Sequence, residues 1–227
     1  ASQTGFPSCE MAVVATGFFD GVHLGHREVI TTLVSSARKK GEEALVVTFD
    51  AHPRTVLQQD AGRLRLLTTP QERERLLLSL GVDRVETIPF SKQFASMDAE
   101  SYIRNVLMDK FKATSIILGY DNRLGSDMLG VKEIGNLCAG LGLKMEEVAP
   151  YVMPDGTTVS STRIRNSLAG GMVDYANDML GYKYMLTGVV VSGKQIGRTI
   201  GFPTANTLPS APPKLVPERG VYLTEVD

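Results

Sequence analysis

Cysteine is scarce in this 227-residue chain. The two present, Cys9 and Cys138, lie far apart, with no CxxC and no histidine cluster beside either. That excludes a disulfide framework and a zinc site of ordinary spacing, and it fits a reducing, cytoplasmic setting. Histidine is nearly as rare, with His23, His26 and His52 making up the full set, so a transition-metal site lacks a ligand inventory. Apolar runs such as Leu45 to Phe49 and Ser115 to Leu118 fall far short of the ~20 residues a membrane span needs. The stretch from Ala1 to Glu10 has neither the basic nor the apolar segment of a secretion signal. Charge of one sign is lacking too: 24 basic residues face 25 acidic ones, which excludes a sequence-wide polybasic surface and makes nucleic acid an unlooked-for partner. With 43% apolar residues, the chain has ample material for a folded core.

What is present is an alternation of short β-branched runs with longer stretches of helical period. A strand over 11–16 leads into a helix over 25–40, whose Val29, Ile30, Leu33, Val34 and Ala37 share one face. A strand over 44–49, a helix over 70–80 opened by Pro70, and a strand over 84–88 follow. A helix over 99–111, strands over 115–118 and 143–148, and a helix over 131–141 between them complete the series. This order predicts an α/β fold with a parallel sheet covered on both faces and ligands beyond the carboxyl ends of its strands. Near Leu180 the pattern changes. A strand over 184–191, then Gly193, Gly197, Gly201 and closely set prolines, reads as the opening of a β-rich second unit, which divides the chain into 1–181 and 182–227. The second piece is too short to close a barrel, so unpaired strand edges and a disordered 193–201 are expected.

Chemistry-bearing residues fall just after the strands. Gly17 to His26 reads GFFDGVHLGH, which sets His23 and His26 at a helix start where unpaired N–H groups and the dipole favour phosphate oxygens. Gly21 and Gly25 permit close approach of the backbone, and the two imidazoles could donate to charge growing at a phosphorus centre. A metal pair or ordinary packed histidines would satisfy the same pattern, though a metal would need further ligands and His52 is the only other histidine. Thr48 to Arg54 carries His52, held extended by Pro53; a plain strand-to-loop turn reads the same way. Asp121, Asn122 and Arg123 follow the fourth strand, where Asp121 could accept from a ribose or adenine and a solvated loop is the competing account. Ser160 to Arg165 reads SSTRIR: Ser160 or Ser161 can cap a helix beside two guanidiniums, an arrangement suited to a triphosphate and also common on inert surfaces.

These four segments, in this order, resemble the bacterial bifunctional riboflavin kinase/FMN adenylyltransferase, or FAD synthetase, family. The resemblance runs from about Val13 onward and includes Gly197 to Asn206, which looks like the kinase's glycine-rich stretch and its PTAN signature. It implies a Rossmann-like HxGH nucleotidyltransferase domain followed by an incomplete β-barrel segment. It further implies His23, His26 and Arg165 as catalytic contacts, with Gly17, Phe19, Asp20, Gly25, His52, Asp121, Ser160, Ser161, Thr162 and Arg163 around the nucleotide. The reaction implied is attack by the FMN phosphate on the α-phosphorus of ATP, with Mg2+ and release of pyrophosphate. Thr204 and Asn206 would serve Mg-ATP for phosphorylation of riboflavin.

Departures from the family pattern are local. Where that family reads DFRFG, this chain has Asp121-Asn122-Arg123-Leu124-Gly125 and loses both aromatics; Ala51 replaces a proline and Val159 an isoleucine. The sequence stops soon after Gly220-Val221-Tyr222, before the family's kinase glutamate, so riboflavin phosphorylation is not expected of this chain and Glu225 is not given that role. Transfer to another phosphorylated acceptor, and a flavin- or nucleotide-binding protein without catalysis, are the competing functions.

Overall fold

A computed structural model describes residues 11–57, 64–193, 196–199, 201–202, 204–210 and 214–226. Five parallel strands form the central sheet: β1 (Ala12–Thr16), β2 (Glu43–Phe49), β3 (Arg84–Ile88), β4 (Ala113–Gly119) and a final strand, Lys144–Val148. Their spatial order is β3-β2-β1-β4 and then Lys144–Val148. The chain thus steps outward from β1 to β3 on one side, then returns to place β4 against the other side of β1. This reversal leaves a crevice at the carboxyl ends of β1 and β4, the place where open parallel sheets bind ligands.

Strand alternation builds the two faces. Val13, Ala15, Ala44, Val46 and Ile117 point to one side, where α1 (Leu24–Lys40) covers them with Val29, Ile30, Leu33 and Ala37. Ala12, Val14, Leu45, Val47, Ile116 and Leu118 point to the other, against Ile103, Leu107, Ile134 and Cys138. Ile134 and Cys138 belong to the helix Val131–Gly140. The strands and helices expected from periodicity are therefore present within a residue or two. The stretch expected as one α-helix over 99–111 differs: after Ala99–Ser101 it winds as a π-helix over Tyr102–Lys110. The buried residues of the π-helix are Tyr102, Ile103 and Leu107.

A third cluster joins distant parts of the chain. Leu67 packs with Val159, Ile164, Leu168, Ala176, Met179, Leu180 and Leu215, and Tyr182 and Tyr184 lie against them. After α2 (Pro53–Leu57), α3 (Pro70–Ser79), α4 (Lys92–Ala95), α5 (Ala99–Ser101) and α6 (Val131–Gly140), Ile164 and Leu168 come from α7 (Ser161–Ala169), and Ala176, Met179 and Leu180 from α8 (Val173–Leu180). In the tail, the strand expected over 184–191 is shorter, Gly188–Val191, because Tyr184 turns inward to donate from its hydroxyl to the Leu215 carbonyl at 2.8 Å. That strand pairs antiparallel with Asn206–Pro209, and among the described residues no barrel closes. The expected disorder over 193–201 falls partly on residues 194, 195 and 200, outside the described residues.

Leu107 is wholly buried between the π-helix and the sheet. Leu107→Ala is expected to cost about 2–5 kcal/mol of unfolding free energy, measured by denaturant titration.

Candidate active site

A cavity of about 590 Å3 opens over the carboxyl edge of β1 and β4. Gly17, Phe19, Asp20, His23, Gly25, His26, His52, Asp121, Ser160, Ser161, Thr162 and Arg165 all line it. Four segments separated in sequence therefore converge as expected. Arg163 does not join them: its side chain is exposed and its backbone N–H donates to Ser160 Oγ at 3.3 Å. Thr204 and Asn206 lie exposed in the tail, outside the cavity lining.

His23 is the N-cap of α1, and its Nδ1 accepts the His26 backbone N–H at 3.3 Å. A neutral ring with Nδ1 so engaged carries its proton on Nε2, leaving a donor for a ligand. The two imidazoles stack with centroids 3.6 Å apart and planes 15° from parallel. Burial pushes His23 down to about 4, against the pull of Asp20, with Arg165 lowering it further. Burial likewise holds His26 well below the usual histidine range, aided by His23, Arg165 and Arg73. Although His26 is only partly buried as a residue, its Nδ1 is enclosed and has no partner among the described residues. His52 faces the same space: its Nδ1 accepts the Arg54 N–H at 3.1 Å, its ring meets Phe18 edge-on, and burial followed by Arg165 lowers it to about 4. All three rings are neutral at pH 7, so they act there as hydrogen-bond groups rather than cations.

Asp20, expected around the nucleotide, lines the cavity but is itself enclosed. It is 3% exposed, and its carboxylate accepts the Leu67 N–H at 3.0 and 3.1 Å, the Thr68 N–H at 3.1 Å and the Thr68 hydroxyl at 3.2 Å. Arg165 Nη2 completes the set with an ion pair of 2.7 Å. Ser161 donates to the Asp20 carbonyl at 2.9 Å, so α7 grips the β1–α1 turn twice. The turn is strained: Phe19 and Val22 take φ of 54° and 39°, and Gly21 has φ of 84°. A Cβ on Gly21 would come within 2.8 Å of the Leu67 side chain, so this position requires glycine.

Sequence patterns did not single out several contributors. Thr68 donates into Asp20 and accepts the Gly21 N–H at 3.1 Å. Tyr182 donates to the Gly21 carbonyl at 2.7 Å. Arg73, almost fully buried, donates to the Phe49 carbonyl at 2.6 Å and lies 4.3 Å over the Phe18 ring, one layer behind the cavity. Burial lowers its guanidinium to about 10. The altered loop after β4 is accounted for: Asn122 Nδ2 donates to the Thr16 carbonyl at 3.0 Å, while Leu124 is buried in the core beside the π-helix.

Stacked imidazoles at one helix start, a capped second helix start and a guanidinium, all around one crevice of a parallel sheet, define a Rossmann-like nucleotidyltransferase. A family model described as FAD synthetase matches residues 7–163, and one described as riboflavin kinase matches residues 180–227. The bifunctional riboflavin kinase/FMN adenylyltransferase of Listeria monocytogenes is 34% identical over 222 residues, 92% of this chain and 66% of its own. Its counterpart in Escherichia coli K12 is 33% identical over 221 residues, covering 96% and 68%. A crystal structure described as a macrolide-efflux protein from Streptococcus pneumoniae superposes with a TM-score of 0.85 at 34% identity, over 97% of this chain and 70% of that one. The chain thus spans about two thirds of the length of these curated relatives. It belongs to the FAD synthetase family, and its first segment is an FAD synthetase domain. Among the described residues no helix is long and apolar enough to cross a membrane.

The depressed imidazoles set a pH dependence. Between about pH 4 and the unfolded histidine value of 6.5, the unfolded chain binds protons that folded His23 and His52 refuse. Their contribution is fully present above pH 6.5 and is lost as pH falls toward 4. Melting temperatures from pH 7.5 to 4.5 should fall more steeply for the parent than for His23→Gln.

Proposed function

We propose that this chain makes FAD, joining the phosphate of FMN to the AMP portion of ATP. A phosphate oxygen of FMN attacks the α-phosphorus, the bond to the β-phosphate bridging oxygen breaks, and pyrophosphate leaves. The observation that carries this reading is the pair of neutral, stacked histidines at the start of α1, facing Arg165 and the N-terminus of α7 across one cavity.

Each group has a task that its geometry supports. Unpaired N–H groups at the two helix starts offer fixed donors to phosphate oxygens without reorganisation. His23 offers Nε2–H, while the enclosed surroundings of His26 strengthen any bond it makes as charge develops on the leaving oxygens. Arg165, already seated by Asp20, supplies the permanent positive charge. Ser160 and Thr162 present hydroxyls at the start of α7, and Asp121, exposed at the rim, takes the nucleoside end. Asp20 and Ser161 act as supports for this machinery. Magnesium arrives as part of the nucleotide substrate; with both Asp20 oxygens engaged, phosphate oxygens would be its principal ligands. Residues 1–181 are assigned to the adenylyltransferase and 182–227 to a riboflavin kinase segment, where Thr204 and Asn206 would meet its Mg-ATP. A cytoplasmic location follows from the same reading.

Incubation with FMN, ATP and magnesium, with flavins resolved by chromatography and pyrophosphate assayed, tests the proposal. FMN-dependent FAD formation is expected. ATP turnover that requires a different phosphorylated acceptor, or no turnover at all, would overturn it. His26→Ala should melt near the parent temperature yet lose about 100-fold or more in kcat, as loss of one transition-state donor does. Arg165→Lys keeps a charge beside Asp20 but loses the planar fork, so KM for ATP should rise about tenfold along with a fall in kcat.

A further inference from the structure

We infer that Lys214, in the tail, is a positioning residue for the adenylyl-transfer site, holding the Leu67–Thr68 backbone that seats Asp20 and, through Asp20, the guanidinium of Arg165. This deepens the function proposed above and rests on it for the identity of the site.

The Lys214 side chain is completely buried. Its ammonium donates to the Leu67 carbonyl at 2.6 Å and to Glu72 Oε2 at 2.7 Å, and it lies 4.5 Å from the centre of the Tyr184 ring. Leu67 therefore has its carbonyl on Lys214 and its N–H on Asp20, a single residue between tail and site. Glu72 anchors the other end. Its Oε2 also accepts the Thr69 N–H at 2.8 Å in a reciprocal capping box, and its Oε1 accepts the Thr187 N–H at 3.2 Å and hydroxyl at 2.7 Å. A parallel bridge between Leu66 and Lys214, with the Leu215 N–H donating to the Leu66 carbonyl at 2.8 Å, fixes the register.

A buried ion pair is a poor device for stability alone, because apolar side chains of similar volume often do as well. What a paired charge adds is direction. Lys214 satisfies one carbonyl and one carboxylate at fixed angles, which leaves the consecutive N–H groups of Leu67 and Thr68 aimed at Asp20. Burial would raise the Glu72 carboxyl, but the bonds from Lys214, Thr69 and Thr187 hold it below its usual range, in keeping with a charged pair. Removing Lys214 strands Glu72, frees the Leu67 carbonyl and loosens the donors that keep Asp20 beside Arg165.

A double-mutant cycle on the full chain separates this role from a plain structural one. ATP affinity, by calorimetry, and FAD formation are measured for the parent, Lys214→Met, Arg165→Lys and the double variant, well below the lowest melting midpoint. Lys214→Met is expected to weaken ATP binding and lower kcat about tenfold in the parent, but less than about threefold in Arg165→Lys, where the fork it positions is gone. Equal losses in both backgrounds, as loss of packing or of one distant positive charge would give, overturn the inference, as does no loss in either. Should Lys214→Met fail to fold, Thr187→Val removes the tail hydroxyl from Glu72. The same non-additive pattern, smaller in size, is then expected, and equal or absent losses again overturn it. A parent that binds ATP but makes no FAD would sink the proposed reaction and leave the ATP cycle to decide this point.

Discussion

A single buried carboxylate organises this protein. Asp20 lies at 3% exposure in the strained turn after β1, and each of its oxygens is engaged by the 67–68 backbone or by Arg165. Burying a charge is costly unless it is paired and fully hydrogen-bonded, so the carboxylate tolerates only one arrangement of its partners. Three segments distant in sequence thereby acquire a common reference point. The turn bearing His23 and His26 cannot shift without moving Leu67 and Thr68 on one side and α7 on the other.

That rigidity has a chemical use. Three imidazoles and a guanidinium share one crevice, and the guanidinium lowers all three histidine pKa values in addition to the effect of burial. The division of labour follows. Arg165 keeps the permanent charge, and the histidines remain neutral donors in an enclosed space, where a hydrogen bond to developing charge is strong. Arg73, behind Phe18, is a further buried cation and also lowers His26 and His52. The loop where the family's two aromatics are replaced keeps its place by other means, through the Asn122 bond to the end of β1 and burial of Leu124.

The tail is joined to this arrangement more closely than its β-rich composition suggests. Tyr182 holds Gly21, Tyr184 and Leu215 enter the third core cluster, and Lys214 reaches Leu67. Where the family resemblance changes from one enzyme to the other, the packing remains continuous.

Much of this was legible in the amino-acid sequence. Apolar periodicity located the strands and the long helices because those signals are local: Val29, Ile30, Leu33 and Ala37 fall on one face whatever they pack against. The histidines, Ser160 and Arg165 stood out because phosphate chemistry collects where strands give way to helix starts, and Pro70 marked the first turn of its helix. Nothing local shows that Asp20 turns inward, since an aspartate in a glycine turn reads the same whether it faces ligand or protein. Nor does any spacing connect Leu67, Thr68, Tyr182 or Lys214 to the site. Their roles arise from contacts between residues 47 to 161 positions apart, and only tertiary packing decides these. The π-winding of Tyr102–Lys110 was hidden for a related reason: apolar periodicity locates a helix but does not tell an α turn from a π turn, which only the backbone hydrogen bonds of the folded chain show.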